Sequence, residues 1–286
     1  MLGSVGDLLE DVVVRLHERV NEASDTQATV IRRRGGSAAN VVAAACRAGG
    51  RARFIGQVGD DPTGHVLTDA LVAQGAQVEV RRAGRTGTIV VLVDVLGERT
   101  MLSDRGACTD LADPQPQWLD GLHTLHIPYY SLVGEPLATT SATLASWAVE
   151  RGIRVSIDAS SSAVLERVGA ARALAHIASL QPSVVLANEL EAAMLGPHLH
   201  PDRLGGALVI VKHGGEPAVV LRPDSAPVSV PARDVRAVHD TTGAGDAFAA
   251  GLLLALAEGA DALSATERAH AVAAAAVRRA SAGQSD

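Results

Sequence analysis

Alternating apolar and polar positions mark residues 12–19 and 29–34 as short strands between polar turns, and 88–96 followed by 99–103 as a hairpin across Gly97-Glu98. Further along, strand patterns at 124–127, 154–157, 184–187 and 207–211 are separated by helical patterns over 137–150, 163–179 and 189–195. That alternation predicts an α/β chain whose mostly parallel central sheet is covered by helices on both faces. Ligands of such sheets bind beyond the carboxyl ends of the strands. Asp158, Asn188, Lys212 and the turn 240–246 all follow strands or lead into helices, so they are expected to converge on one edge. The most apolar run, 247–257, reads as a buried helix, and the Ala-rich stretch 269–282 as another.

Composition narrows this picture. A chain of 286 residues can bury a large core as a single domain, 1–286, and with aromatics at 2% that core has to be built from Ala, Val and Leu. Cys46 and Cys108 lack any paired spacing, which argues for a reducing compartment, and cytoplasm is the expected location. Asp7, Glu10 and Asp11 stand where a signal peptide would carry positive charge, and no apolar run has the length of a membrane span.

The net charge of -7 disfavours a nucleic-acid partner, whose phosphates demand a basic face. The one cationic run, Arg32-Arg33-Arg34, reads as a solvated strand edge. His123 with His126, and His198 with His200, have no acidic or thiolate partner in a zinc pattern and read as local polar residues. A Walker-type loop and a dinucleotide-binding glycine fingerprint are both missing, so nicotinamide chemistry has little support.

Candidate chemistry concentrates in two glycine motifs. Asp240-Thr241-Thr242-Gly243-Ala244-Gly245-Asp246 opens the apolar helix; its glycines let consecutive N–H groups aim at one point, and a helix N-terminus attracts anions. Asp246 places a carboxylate beside that cradle, where it is suited to take a proton from a hydroxyl attacking phosphorus; the plainer reading is a helix cap. Upstream, Gly35-Gly36-Ser37-Ala38-Ala39-Asn40 pairs glycines that let a small ligand approach with an amide able to bind vicinal hydroxyls; the plainer reading is a loop before a capped helix.

Together the two motifs resemble both signature regions of the ribokinase (PfkB) family of carbohydrate and nucleoside kinases. Intermediate landmarks fall in the family's order: Gly97-Glu98-Arg99-Thr100, Asp104-Arg105-Gly106-Ala107, Asn188-Glu189-Leu190-Glu191 and Val211-Lys212-His213-Gly214. The resemblance covers nearly the whole chain and implies a ribokinase-like three-layer fold with a small β-sheet lid, built from roughly 12–35 and 79–104, that also supports a homodimer.

It further implies transfer of the ATP γ-phosphoryl to a sugar of the ribose, fructose or 2-keto-3-deoxygluconate type. Asp246 is then the general base, and the backbone N–H groups of Gly243, Ala244 and Gly245 stabilise the transferred phosphoryl. Asn188 and Glu191 correspond to a pair that organises Mg²⁺ and phosphate through water, although Asn at an N-cap with acids behind it is also an ordinary helix start. Lys212, Gly214 and Thr242 fall on the nucleotide side. Asp11, Gly35, Gly36, Asn40 and Arg105 fall on the sugar side, with Tyr130 as a wall or a core residue.

Asp240 resembles a residue supplying part of a potassium site, whereas Ser281-Ala282-Gly283-Gln284 stands where ribokinases carry a Gly-Ala-x-Pro-Ser segment, which argues against potassium activation. Tyr129 replaces a usual glycine. Scarce aromatics favour a plain sugar over a nucleoside, whose base would be stacked. A nucleoside kinase of the same family and a non-catalytic sugar- or nucleotide-binding protein are the alternatives.

Overall fold

A computed structural model describes residues 1–235 and 240–281. In chain order, β1 (Leu2–Val5), β2 (Leu9–Leu16) and β3 (Ala28–Gly35) precede α1 (Ser37–Arg47), β4 (Ala52–Val58) and α2 (Pro62–Ala73). Next come β5 (Gln77–Arg82), β6 (Thr86–Val93), β7 (Arg99–Gly106), β8 (Thr124–Pro128), α3 (Leu137–Glu150) and β9 (Arg154–Asp158). The second half holds α4 (Ser162–Val168), α5 (Ala170–Ser179), β10 (Val184–Asn188), α6 (Glu189–Leu195), β11 (Leu208–His213), β12 (Glu216–Leu221) and β13 (Val228–Val230). It closes with α7 (Ala244–Ala257) and α8 (Ala262–Ser281).

Nine strands form the large sheet in the order β13-β12-β11-β10-β9-β8-β1-β4-β5. It is parallel from β11 through β5, and β12 and β13 add antiparallel strands at one edge. Successive strand residues face opposite ways. Along β10, Val184 and Leu186 therefore join one apolar cluster, with Val42, Leu252 and Ala269, while Val185 and Ala187 join the other, with Leu144, Ile157 and Ile177. Helices α1, α7 and α8 cover the first face and α3 and α5 the second, which makes the three expected layers.

The segments expected to form the lid build a second, four-stranded sheet, β3-β2-β6-β7, whose β6–β7 hairpin turns at Gly97, with φ 86°. Its predicted span needs one correction. Residues 79–82 belong to β5, which pairs with β4 at the edge of the large sheet. The pattern over 163–179 is likewise two helices, because Gly169 adopts φ 89°, outside the helical region, and starts a second helix. No described helix is long and apolar enough to cross a membrane.

Candidate active site

Gly243 sits in the left-handed region at φ 74°, which glycine reaches without strain, and this bend starts α7. The Ala244 N–H turns back to the Thr241 carbonyl at 3.1 Å, so the expected donor at Ala244 is already committed. The Ala247 N–H bonds the Gly243 carbonyl at 2.9 Å and begins the intrahelical series. Helix geometry leaves the amides of Gly245 and Asp246 outside that series, and no side chain caps the helix. A Cβ on Gly245 would lie 3.6 Å from Lys212 Nζ, so an ammonium and a helix N-terminus converge on one space.

Asp246 closes the turn. Its Oδ1 accepts from Ser37 Oγ at 2.7 Å and its Oδ2 from Asn40 Nδ2 at 3.0 Å, which makes the first turn of α1 its support. Burial pushes its carboxyl above the usual range; the bonds from Ser37 and Asn40 and the Lys212 charge oppose that, and Asp158 adds to it. Asn40 in turn accepts from Arg34 Nη1 at 2.8 Å.

On one side of Asp246 lies a cavity of about 430 Å³, lined by Tyr130, Asp158, Glu191, Lys212, Gly214 and Gly245 among others. Lys212 pairs with Asp158 at 2.5 Å; burial would lower its pKa, but the Asp158 carboxylate outweighs that and raises it. Glu191 is pushed up to about 7 by burial and then by Asp158. Asn188 and Glu191 form a reciprocal capping box: Asn188 N–H donates to Glu191 Oε2 at 2.8 Å and Glu191 N–H to Asn188 Oδ1 at 2.9 Å. The plainer reading is met, since the box starts α6, and Asn188 and Glu191 also line the cavity. Gly214, at φ 62°, presents bare backbone there.

A smaller cavity of about 80 Å³ borders the same turn, with Asp11, Asn40, Thr242 and Gly243 in its wall. Thr242, expected on the nucleotide side, thus faces this second space, and Thr241 takes its place in the larger one. The paired glycines serve packing more than ligand approach. A Cβ on Gly35 would stand 2.2 Å from Asp11 Oδ1, and one on Gly36, at φ 99°, would stand 2.2 Å from the Asp7 carbonyl oxygen. Asp11 is half-buried, and burial raises its carboxyl pKa while Arg33 and Arg34 pull it down.

The expected solvated strand edge is corrected by the register of β3. Asp11 and Arg33 are cross-strand partners on one face, so Arg33 points inward with 15% of its side chain exposed, while Arg32 on the opposite face is 68% exposed beside Glu10. Arg34 is buried. Arg105 lines neither cavity: its guanidinium grips Asp7 through Nε at 2.8 Å and Nη2 at 2.7 Å, which ties the lid to the loop after β1.

Asp240 does not fit a monovalent cation. Its Oδ1 accepts from Thr242 N–H at 2.8 Å, from Thr242 Oγ1 and from Arg99 Nη2 at 3.0 Å, and its Oδ2 from Arg33 Nη1 at 3.4 Å. Burial opposes its ionisation, yet the Thr242 bonds and then the two guanidiniums bring its pKa down to about 2. The lid thus supplies the cations itself. The expected contrast at 281–284 lies, from 282 on, outside the described residues.

Sequence reasoning gave Ser37 and Arg33 no part in the site and placed Asp158 at the sheet edge without a role. Ser37 follows the glycine pair and opens α1, the one local signal that could have marked it. Tyr129 is fully buried, edge-on to His176, while Tyr130 walls the larger cavity. His126 is buried against Ser156, and His123 bonds the N-terminal amine at 3.0 Å. No group of three or more His, Cys, Asp or Glu among the described residues is placed to hold a metal ion.

The family profile described as pfkB family carbohydrate kinase matches residues 1–286. An ATP-dependent ribose-1-phosphate kinase from Halopiger xanaduensis is 34% identical over 259 residues, 87% of this chain and 82% of that protein. A fructokinase from Klebsiella pneumoniae is 34% identical over 239 residues, 78% of this chain and 76% of the relative. Among solved structures, adenosine kinase from Sinorhizobium meliloti superposes with a TM-score of 0.83 at 24% identity, over 97% of this chain and 93% of that one.

Proposed function

The chain belongs to the pfkB family of carbohydrate kinases and is a phosphotransferase, and on that premise we propose that it phosphorylates a sugar hydroxyl from ATP with Asp246 as general base. The observation that carries this reading is the position of Asp246: at the N-terminus of α7, in the wall of the larger cavity, with its carboxylate held by Ser37 and Asn40. The acceptor hydroxyl gives its proton to Asp246 as its oxygen bonds the γ-phosphorus and the bond to the ADP oxygen breaks. Amides of Gly245 and Asp246, with Lys212, face the charge that gathers on the transferred phosphoryl.

Mg²⁺, when bound with the nucleotide, neutralises phosphate charge. The residues present suit an ion held by phosphates and water, because Glu191 engages Asn188 with both oxygens and no three-ligand cluster exists among the described residues. Gly214 and Lys212 border the nucleotide, and Asp11 and Asn40 the acceptor. Gly35 and Gly36 seat Asp11 and the start of α1.

The smaller cavity has no aromatic side chain in its wall among the described residues, which favours a plain sugar over a nucleoside. The relatives' names point to ribose- and fructose-type acceptors. The lid carries exposed Val30, Met101 and Leu102, and pairing of two lids would cover them. ADP release from Mg-ATP across a panel of sugars, beside Asp246→Asn, tests the proposal. Acceptor-dependent turnover that collapses in the variant supports it; turnover unchanged in the variant rejects Asp246 as the base.

A further inference from the structure

Of the 25 lysine and arginine residues in the chain, Lys212 alone is a lysine. It is also largely buried, with 13% of its side chain exposed, in the wall of the larger cavity. Every other side chain of fixed positive charge is an arginine, so this position takes a compact ammonium where a planar, forked guanidinium serves elsewhere. A point charge on a flexible four-carbon stem can turn between partners in a narrow space. What it does there depends on which carboxylate holds it.

Asp158 holds it. In the large sheet β10 lies between β9 and β11, with Asp158 registered to Leu186 and Lys212 to Asn188, so the two side chains share a face and meet across β10 at 2.5 Å. Asp158 is itself fixed. Its Oδ1 accepts from Ser160 N–H at 3.0 Å, while Ser160 Oγ donates to the Asp158 carbonyl at 2.9 Å and accepts from Tyr129 N–H at 2.9 Å. Ser160 takes φ 64°, in the left-handed region that a residue with a side chain seldom adopts, and these bonds keep it there. Besides Asp158, the ammonium is faced by Glu191, whose oxygens both engage Asn188, and by Asp246, which Ser37 and Asn40 hold. His126 on β8 is within electrostatic reach of Asp158 and Lys212 and is kept neutral by burial, which lowers its pKa to about 4. Tyr130, His213 and His270 are the other titratable groups in the cavity wall.

We infer that Asp158 is a positioning residue: it fixes the Lys212 ammonium beside Gly245 at the N-terminus of α7 and keeps it off the Asp246 carboxylate. A Cβ on Gly245 would lie 3.6 Å from Nζ, so the ammonium and the first amides of the helix address one point. Without Asp158, the carboxylates left to the ammonium are Glu191 and Asp246. Turning to Asp246 pairs the ammonium with the base and withdraws its charge from the phosphoryl. That consequence rests on the kinase reading, whereas the way Asp158 holds the ammonium does not. Asp158 acts through Lys212 and touches no reacting atom.

Two measurements test this. Because Lys212 is the only lysine, protein grown with lysine carrying ¹³C at Cε gives one side-chain resonance, whose pH titration follows this ammonium alone. Asp158→Asn keeps an acceptor for the Ser160 amide but loses the charge. The resonance should then titrate lower by roughly one pH unit or more, because Asp158 does more than Glu191 or Asp246 to keep Lys212 charged. Acceptor turnover with Mg-ATP is the second measurement. Asp158→Asn should lower kcat roughly 10–100-fold and move the acid limb of kcat/KM to lower pH, as Asp246 loses a repelling carboxylate and gains the ammonium. Asp158→Glu, the milder change, should show both effects to a smaller degree. In Lys212→Gln, which lowers kcat by itself, adding Asp158→Asn should lower it no further. An unchanged titration midpoint, or losses that multiply in the double variant, would overturn the inference. A lowered midpoint with no acceptor turned over by the unaltered protein removes the kinase reading alone; turnover in the unaltered protein with an unchanged midpoint in Asp158→Asn removes the positioning role alone.

Discussion

Asn40 and Asp246, 206 positions apart, are joined by a hydrogen bond of 3.0 Å that connects α1 to α7, the helix that carries the proposed base. The bond stabilises the ionised carboxylate against burial, which acts in the opposite direction. Asn40→Ala should therefore raise the pKa of Asp246 further. The acid limb of the kcat/KM profile is expected to move to higher pH, with the activity above it reduced by misplacement of the base. Asp246→Asn should lower kcat by about 10²–10⁴ with little change in ATP affinity.

The two signature glycines should respond differently to the same substitution. Gly36→Ala forces a side chain into φ 99° and against a backbone carbonyl that cannot swing away. A loss of about 1–3 kcal/mol or more is expected in urea unfolding. Gly35→Ala first meets the Asp11 side chain, with Cγ 2.5 Å away, so Asp11 must shift and the cost should appear mainly as a raised KM for the acceptor.

Arg105 and Asp7 form a two-point ion pair that is largely buried. Arg105→Ala leaves the Asp7 carboxylate uncompensated and should destabilise the fold by about 3–5 kcal/mol. Calorimetric melting with a parallel KM measurement checks this: a large fall in Tm with modest change in KM identifies a lid anchor, and the reverse would identify a substrate contact.

Asp240 and Glu191 give stability opposite pH dependences. The pKa of Asp240 is depressed to about 2 from 3.8, so its contribution is present above the unfolded value and is lost as pH falls through about 2. The pKa of Glu191 is raised to about 7 from 4.5, so its contribution is full below 4.5 and is lost as pH rises through about 7. Glu191→Gln, which can still cap α6, should flatten the fall in Tm between those two pH values. An unchanged pH profile of Tm would contradict the raised pKa.

Because Arg33 and Arg99 already saturate Asp240, turnover should change less than about twofold when potassium replaces tetramethylammonium at equal ionic strength. Arg33→Ala/Arg99→Ala removes the intrinsic cations and should lower turnover by loosening the turn at Thr242. A strong potassium requirement in the unaltered protein would contradict this account.

Much of this could be read from the chain alone, because the information was local. Period-2 and period-3.6 patterns marked β8 to β11 with α3 and α6. The residue types of 240–246 marked the glycine bend and the carboxylate proposed as base, since a glycine bend at a helix start attracts anions wherever it occurs. What required the tertiary structure was everything set by distant partners. Residues 79–82 pattern equally well for either sheet, and only pairing with β4 assigns them. Arg33 reads as solvated until the β2–β3 register places it on the face of Asp11, opposite Arg32. Lys212 and Asp158 lie 54 positions apart, and their pairing depends on sheet order. Composition records that a charge exists; the direction in which its side chain points, and hence whether it is solvated or builds a site, is decided by strand register and packing across the fold.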